Sequence, residues 1–190
     1  NEECVILSAD YSQIELRVLA HISEDKQMIE AFRNNLDIHK ITASEIFSVE
    51  EDEVTTEMRN KCKAVNFGIV YAISDFALSQ DLKISRKEAK EYMDKYFARY
   101  VGVKYYLDNI IEFSKQNGYV RTIFNRIRNI PEIRSSNKIV KSLGERLSMN
   151  TPIQGSAADI IKLAMIKVFN RLNSENLKSK IILQVHDELV

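Results

Sequence analysis

Three carboxylates stand at the ends of apolar runs. Asp10 closes "CVILSAD", and Asp187 and Glu188 follow "KIILQVH". A carboxylate held at a strand end offers the hard oxygen that magnesium prefers. Two such ions about 4 Å apart activate an attacking oxygen and stabilise a leaving one in phosphoryl transfer. Consecutive acids at a turn are also common as solvated turn formers, so the carboxylates alone leave both readings open.

A second set lies in "RNKCKAVNFGIVY", Arg59 to Tyr71. On a helix each residue turns about 100°, so a step of four drifts by only about 40°. Met58, Cys62, Val65 and Ile69 then make a tight apolar stripe. Arg59, Lys63, Phe67 and Tyr71 make another, centred about opposite the first. One explanation is a further layer of protein over that face. The other is a ligand with a negative tail and a flat head, with cations on phosphates and an aromatic against a base. The stripe covers twelve rises, about 18 Å, enough for a nucleoside triphosphate. The chain has no GxxxxGK[ST] and no GxGxxG. Phosphates would therefore be held by side chains and metal rather than a glycine-rich backbone cradle.

The elements that position these groups read as follows. "CVILSAD" is a short buried strand, and "SQIELRVLAHIS" turns helical. Helices follow at about 26–34 and 37–48, the latter capped by Asp37. "SVEEDEVTTE" is a loop, and Thr55, Thr56 and Glu57 open the 57–71 helix. "SDFALSQDLK" is a short helix. Ser85 and Glu88 form a capping box for the next, interrupted near Val101-Gly102 and closed by Gly118. "YVRTIF" and "IRNIPEI" are short strands. Ser135 or Ser136 caps a long helix to about 172, kinked at Pro152 and Gly155. "KIILQVHDELV" is a strand, a turn and a second strand. The two carboxylate-bearing segments lie about 175 residues apart. They are expected as neighbours in one sheet, with the helical middle inserted beside it.

The 190 residues are 45% hydrophobic, enough for a core, and no apolar run could span a bilayer. The chain opens on Asn1 without a signal peptide and stops at Val190 after an apolar run, and so reads as an excised piece. Cys4 and Cys62 are the only cysteines, both in apolar surroundings, so both are expected as buried reduced thiols. That fits a reducing, cytoplasmic setting. Net charge is zero, which argues against wholesale coating of nucleic acid. Its distribution is uneven: residues 1–57 carry 4 Lys/Arg against 14 Asp/Glu, residues 115–150 carry 8 against 2. The basic stretch is either a solvated face or a local phosphate-facing surface.

In order and spacing, "DYSQIELR" (10–17), "RNKCKAVNFGIVY" (59–71) and "QVHDELV" (184–190) resemble motifs A, B and C of family A DNA polymerases. "DIHKITASEIF" and "NTPIQGSAADIIKLAM" are similar to that family too. The resemblance implies an α/β (α+β) fold: a partial antiparallel palm sheet with a large inserted helical fingers subdomain. Palm would cover 1–22 and 135–190, and fingers 23–134. Thumb, exonuclease-like domain and the end of the palm would be absent, and the isolated piece could be inactive. It implies template-directed DNA synthesis in replication and repair, by nucleotidyl transfer with two magnesium ions, for which manganese could substitute. The partners would be primer-template DNA and deoxynucleoside triphosphates, with no membrane, and the protein a monomer.

Residue by residue, the resemblance makes Asp10 and Asp187 metal ligands, joined by the main-chain carbonyl of Tyr11, with Glu188 auxiliary. Arg59 and Lys63 would hold the triphosphate, Lys63 giving a proton to pyrophosphate. Phe67 would pack on the incoming sugar and base, and Tyr71 would sit at the template base. His39 would touch phosphate and Gln13 the sugar. Glu15 would exclude a ribose 2′-hydroxyl. His186 would meet the primer terminus. Arg146, Asn150 and Gln154, four apart on one helix face, would touch the minor groove. Ala72 and Ala77 stand where many members have glycine, and Ala72 is expected to stiffen the helix end. Two other readings remain: a single-subunit RNA polymerase, against which Glu15 argues, and an inactive DNA-binding module, against which the intact Asp10, Asp187, Arg59 and Lys63 argue.

Overall fold

A computed structural model describes residues 4–190. Most of its α-helices, though not those that begin at Ile14 and Val101, start where a side chain satisfies free backbone N–H groups. Asp25 accepts from the Met28 N–H, Asp37 from those of His39 and Lys40, Thr55 from Met58, Ser74 from Ala77, and Ser85 forms a full capping box with Glu88. The resulting helices are α1 (Ile14–Ser23), α2 (Lys26–Arg33), α3 (Ile38–Phe47), α4 (Thr56–Val70), α5 (Asp75–Leu82), α6 (Arg86–Arg99), α7 (Val101–Asn117) and α8 (Lys138–Ser174). A 3-10 turn at Glu51–Glu53 interrupts the acidic loop, and another at Pro131–Arg134 precedes α8. Gly118 closes α7 at φ +79°, a left-handed conformation that costs glycine little.

Strand β1 (Ala9–Asp10) pairs antiparallel with β5 (Glu188–Leu189), which pairs with β4 (Gln184–Val185), in the order β1-β5-β4. Asp10 lies opposite Glu188, and the Tyr11 N–H donates to the Asp187 carbonyl at 3.2 Å. The first and last segments of the chain are thus joined in one small sheet. Strands β2 (Tyr119–Arg121) and β3 (Ile127–Asn129) form a separate hairpin. Fold class therefore agrees with the expectation: α+β, mostly helical, with small antiparallel sheets.

The main core runs from α1 to α8 and includes Leu16, Leu19, Met28, Ile38, Ile46, Val65, Leu78, Tyr96 and Ile153. Within it α4 packs against α3, α1, α5 and α8. A smaller cluster of Val120, Ile130 and Ile133 lies under the hairpin. Among the described residues, no helix is long and apolar enough to cross a membrane.

Several local expectations are corrected. "CVILSAD" is not a buried strand: only Ala9–Asp10 pairs, and Val5, Ile6 and Leu7 are 93%, 81% and 77% exposed. Ile182 and Leu183 are exposed likewise. Apolar strands are buried only where another layer covers them, and none of the described elements covers this face. Cys4 shares that fate and is exposed, while Cys62 is buried. The α6–α7 break falls at Tyr100, whose buried ring packs 4.8 Å from that of Tyr96. Asn137, not Ser135 or Ser136, caps α8, accepting from the N–H groups of Ile139 and Val140. That helix stays one element through Pro152 and Gly155 to Ser174.

Candidate active site

Helix α4 carries both stripes as spaced. Cys62, Val65 and Ile69 are buried in the core, with Met58 half-buried beside them. On the other side, Arg59, Lys63, Phe67 and Tyr71 line a cavity of about 590 Å³. The opposite wall comes from the sheet and the segment after it: Asp10, Gln13, Glu15, His186 and Asp187. Helix α3 adds His39, and α8 adds Gln154, Ala157, Ala158 and Ile161. No second layer of the described chain fills this space.

Two backbone features aim the acidic wall. Gln13 opens α1 at φ +57°, and its Oε1 is buried without a hydrogen-bond partner. His186 takes φ +50° in the two-residue turn between β4 and β5. A histidine tolerates this region better than a β-branched residue would. The turn brings Asp187 beside the end of β1, so two carboxylates reach one cavity from neighbouring strand ends.

Electrostatics divide the cavity. Burial raises the Glu15 carboxyl, a hydrogen bond from the Tyr71 hydroxyl opposes this, and the charge of Asp187 adds to the rise. Tyr71 is raised in turn by burial and by Glu15. Glu15 and Tyr71 both line the cavity. At the cationic end, Arg59 Nε donates to Asp37 at 2.6 Å. Burial pulls the Asp37 carboxyl upward, but Arg59 and the N–H groups of Lys40 and His39 together hold it below its ordinary value. Among the described residues, Lys63 has no carboxylate within ion-pair distance. His39 is almost wholly buried, and burial takes its imidazole down to about 4, with Asp37 opposing and Arg59 and Lys63 assisting.

Other expected residues lie outside the cavity wall. Tyr11 is 43% exposed and contributes its N–H to Asp187. Glu188 accepts from the Ser8 hydroxyl on the sheet. Asn150 faces the end of α4, where its Nδ2 donates to the Tyr71 carbonyl at 3.3 Å. Arg146 lies a turn earlier on α8. Sequence reasoning missed Asn66 altogether. This fully buried residue sits between the two stripes and bonds to His39, Thr42 and the Cys62 carbonyl. An asparagine interrupting the apolar "AVNFGIV" was the available signal.

The end of α4 differs from expectation too. Tyr71 is its C-cap, and Ala72 beyond it takes φ +51°. The Ala72 N–H donates to Ile69 O and the Ile73 N–H to Gly68 O, the two bonds of a Schellman motif. Ile73 folds back so closely that a Cβ on Gly68 would lie 2.6 Å from its Cγ2. Ala72 is therefore outside the helix, and its helix preference cannot stiffen the end.

The donor set fits a hard divalent cation. Asp10 and Asp187 offer carboxylate oxygens in an open, polar cavity. Among the described residues, no group of three or more His, Cys, Asp or Glu could hold a metal ion. The protein would thus supply two carboxylates, and substrate phosphates and water the remaining oxygens, the usual arrangement for magnesium on a nucleotide.

The chain matches DNA polymerase family A over residues 1–190. It is 62% identical to DNA polymerase I of Caldicellulosiruptor bescii over 186 residues, which are 98% of this chain and 22% of that protein. To DNA polymerase I of Bacillus subtilis it is 56% identical over 189 residues, 100% of this chain and 22% of that protein. Among solved structures, the POL domain of Pol1 from M. smegmatis, in complex with DNA primer-template and dNTP, superposes with a TM-score of 0.91 at 49% identity. That match covers 96% of this chain and 32% of the other. The chain thus spans about a fifth of the length of the curated relatives it matches.

Proposed function

The chain belongs to DNA polymerase family A, and from that premise we propose that its cavity is the nucleotidyl-transfer centre of template-directed DNA synthesis. The primer 3′-hydroxyl, giving up its proton to solvent, attacks the α-phosphorus of a deoxynucleoside triphosphate. A phosphorus–oxygen bond forms there, the bond to the β-phosphate bridging oxygen breaks, and pyrophosphate leaves. Residues 1–22 and 135–190 form the palm side and 23–134 the fingers.

The observation that carries the reading is one cavity walled by Asp10 and Asp187 on one side and the Arg59, Lys63, Phe67 and Tyr71 stripe on the other. Arg59 and Lys63 bind the triphosphate, and Lys63 protonates the departing pyrophosphate. Phe67 packs against the incoming nucleotide. Gln13 presents a buried acceptor without a partner, suited to a donor on the sugar. Glu15, held against Tyr71, fills the space a ribose 2′-hydroxyl would need. His186 and Gln154 lie where the primer end and the nascent pair meet the cavity. Asp10, Asp187 and the Tyr11 carbonyl would hold magnesium, for which manganese could substitute. Bound there, such an ion would supply Lewis-acid activation of the attacking hydroxyl and charge neutralisation on the leaving group.

The test is primer extension by the full-length protein with magnesium and deoxynucleotides. Asp10→Ala and Asp187→Ala should each reduce extension by roughly a thousandfold or more, because several kcal/mol of charge stabilisation are lost. Extension unchanged in either variant refutes the metal assignment.

A further inference from the structure

The buried network behind the cavity assigns a task to Asn66. We propose that Asn66 is a positioning residue that holds His39 as the neutral imidazole with its proton on Nε2, ready to donate to a triphosphate oxygen. This rests on the nucleotide-binding reading above and adds a residue to it.

The argument is one of donors and acceptors. Asn66 Nδ2 lies 3.0 Å from the Cys62 carbonyl, 3.1 Å from His39 Nδ1 and 3.2 Å from Thr42 Oγ1. A carbonyl only accepts, so the atom facing Cys62 must be the amide nitrogen. Turning the amide over would set its oxygen against the Cys62 oxygen. Thr42 Oγ1 lies 2.7 Å from the Ile38 carbonyl and donates its single proton there. It therefore accepts from the Tyr100 hydroxyl at 3.1 Å, which closes the far end of the network. Two amide hydrogens remain for three neighbours. One goes to Cys62, and the other is directed at His39 Nδ1 and shared with Thr42. A proton on Nδ1 would point into that donor, so Nδ1 stays bare and the ring proton sits on Nε2.

The surroundings favour the same state. Asp37, at the cap of the helix that carries His39, is the one carboxylate acting on it, and it favours the charged ring. Arg59 and Lys63 on α4 and the burial of the ring outweigh it. The Phe67 ring, centred 5.9 Å away, adds no charge. Two cations already serve the phosphates. A neutral donor adds direction without a third buried charge, and it does not change state across the pH range in which the site works.

Two measurements decide it. Long-range 1H–15N spectra of the imidazole report which nitrogen is protonated. The proton should be on Nε2 in the wild type at pH 7, and a proton on Nδ1 overturns the proposal. Asn66→Asp keeps the shape but offers only acceptors, and a carboxylate at this distance raises a histidine by about one to three pH units. The ring should therefore titrate about two pH units higher than in the wild type. KM for deoxynucleotide, flat between pH 5.5 and 8 in the wild type, should then vary with pH while kcat changes less. In a His39→Gln background, Asn66→Asp should leave KM without that pH dependence. A purely structural Asn66 would lower stability equally in both backgrounds and leave the KM profile flat, which would also overturn the proposal. Should Asn66→Asp fail to fold, the wild-type tautomer still decides. Failure of the polymerase reading would appear separately, as no extension by the wild type.

Discussion

Replacing Ala72 by glycine should stabilise the protein, contrary to what helix propensity predicts. At φ +51° an alanine Cβ crowds the following carbonyl, at a cost of about 1–2 kcal/mol. Glycine relieves this strain but gives the unfolded chain more freedom, which costs roughly 0.4–1 kcal/mol. The difference leaves a gain of up to about 1.6 kcal/mol, centred on about 0.8 kcal/mol. Were Ala72 helical, the same change would destabilise by about 1 kcal/mol, so the sign separates the two readings. Urea unfolding of both variants gives the answer through the transition midpoint at unchanged slope. A lower midpoint for Ala72→Gly would refute the left-handed assignment. Gly68→Ala supplies the opposite control. Its new Cβ would lie 2.6 Å from Ile73 Cγ2, so overpacking should cost about 1–3 kcal/mol.

Removing the Glu15 side chain opens space beside Tyr71, so Glu15→Ala should raise ribonucleotide incorporation relative to deoxynucleotide; an unchanged ratio in competitive primer extension counts against the exclusion role. Because His39 sits at about 4 when folded against about 6.5 when free, the unfolded chain binds more protons between those values. Stability should therefore fall from pH 6.5 to 4, by roughly 3 kcal/mol from this group. Glu15, raised in the folded protein, works the other way in the acid range, so the readout is the difference between wild type and His39→Leu; equal pH slopes would sink the idea. Burial pushes the Cys62 thiol up to about 12, so it should resist alkylation at pH 8 until the protein unfolds, as mass spectrometry of labelled peptides would record.

What the sequence disclosed, and what it withheld, follows from the range of the interactions involved. Asp37, Thr55 and Ser85 cap their helices through bonds two or three residues away, and local spacing reveals such bonds. The two stripes of α4 were legible for the same reason, since helical geometry alone sets which residues share a face. The pairing of Asp10 with Glu188 joins segments almost a chain length apart, and it was approached through the shared pattern of apolar run and acid. Asn66 was not legible because its side-chain partners His39 and Thr42 come from another helix, α3. Ala72 misled because its residue type favours helix while the Schellman bonds of Ile73 dictate its backbone. Cys4 misled because burial depends on a covering layer, and an apolar neighbourhood in sequence does not supply one.

The attachments of α4 also indicate which of its neighbours hold it most firmly. Its apolar stripe is seated in a core shared with α1, α3, α5 and α8, and its most extensive packing is against α3. Asn66 bonds to Thr42 and His39 across that interface, and burial strengthens both bonds. Toward α8, among the described residues, one hydrogen bond runs from Asn150 Nδ2 to the Tyr71 carbonyl, at 3.3 Å. One neutral bond of that kind contributes about 0.5–1.5 kcal/mol. The Arg59–Asp37 pair lies within the α3–α4 unit and is more than one-third exposed on both sides, so phosphate can share Arg59 without breaking the unit. A change that displaced α4 would therefore carry α3 with it more readily than α8.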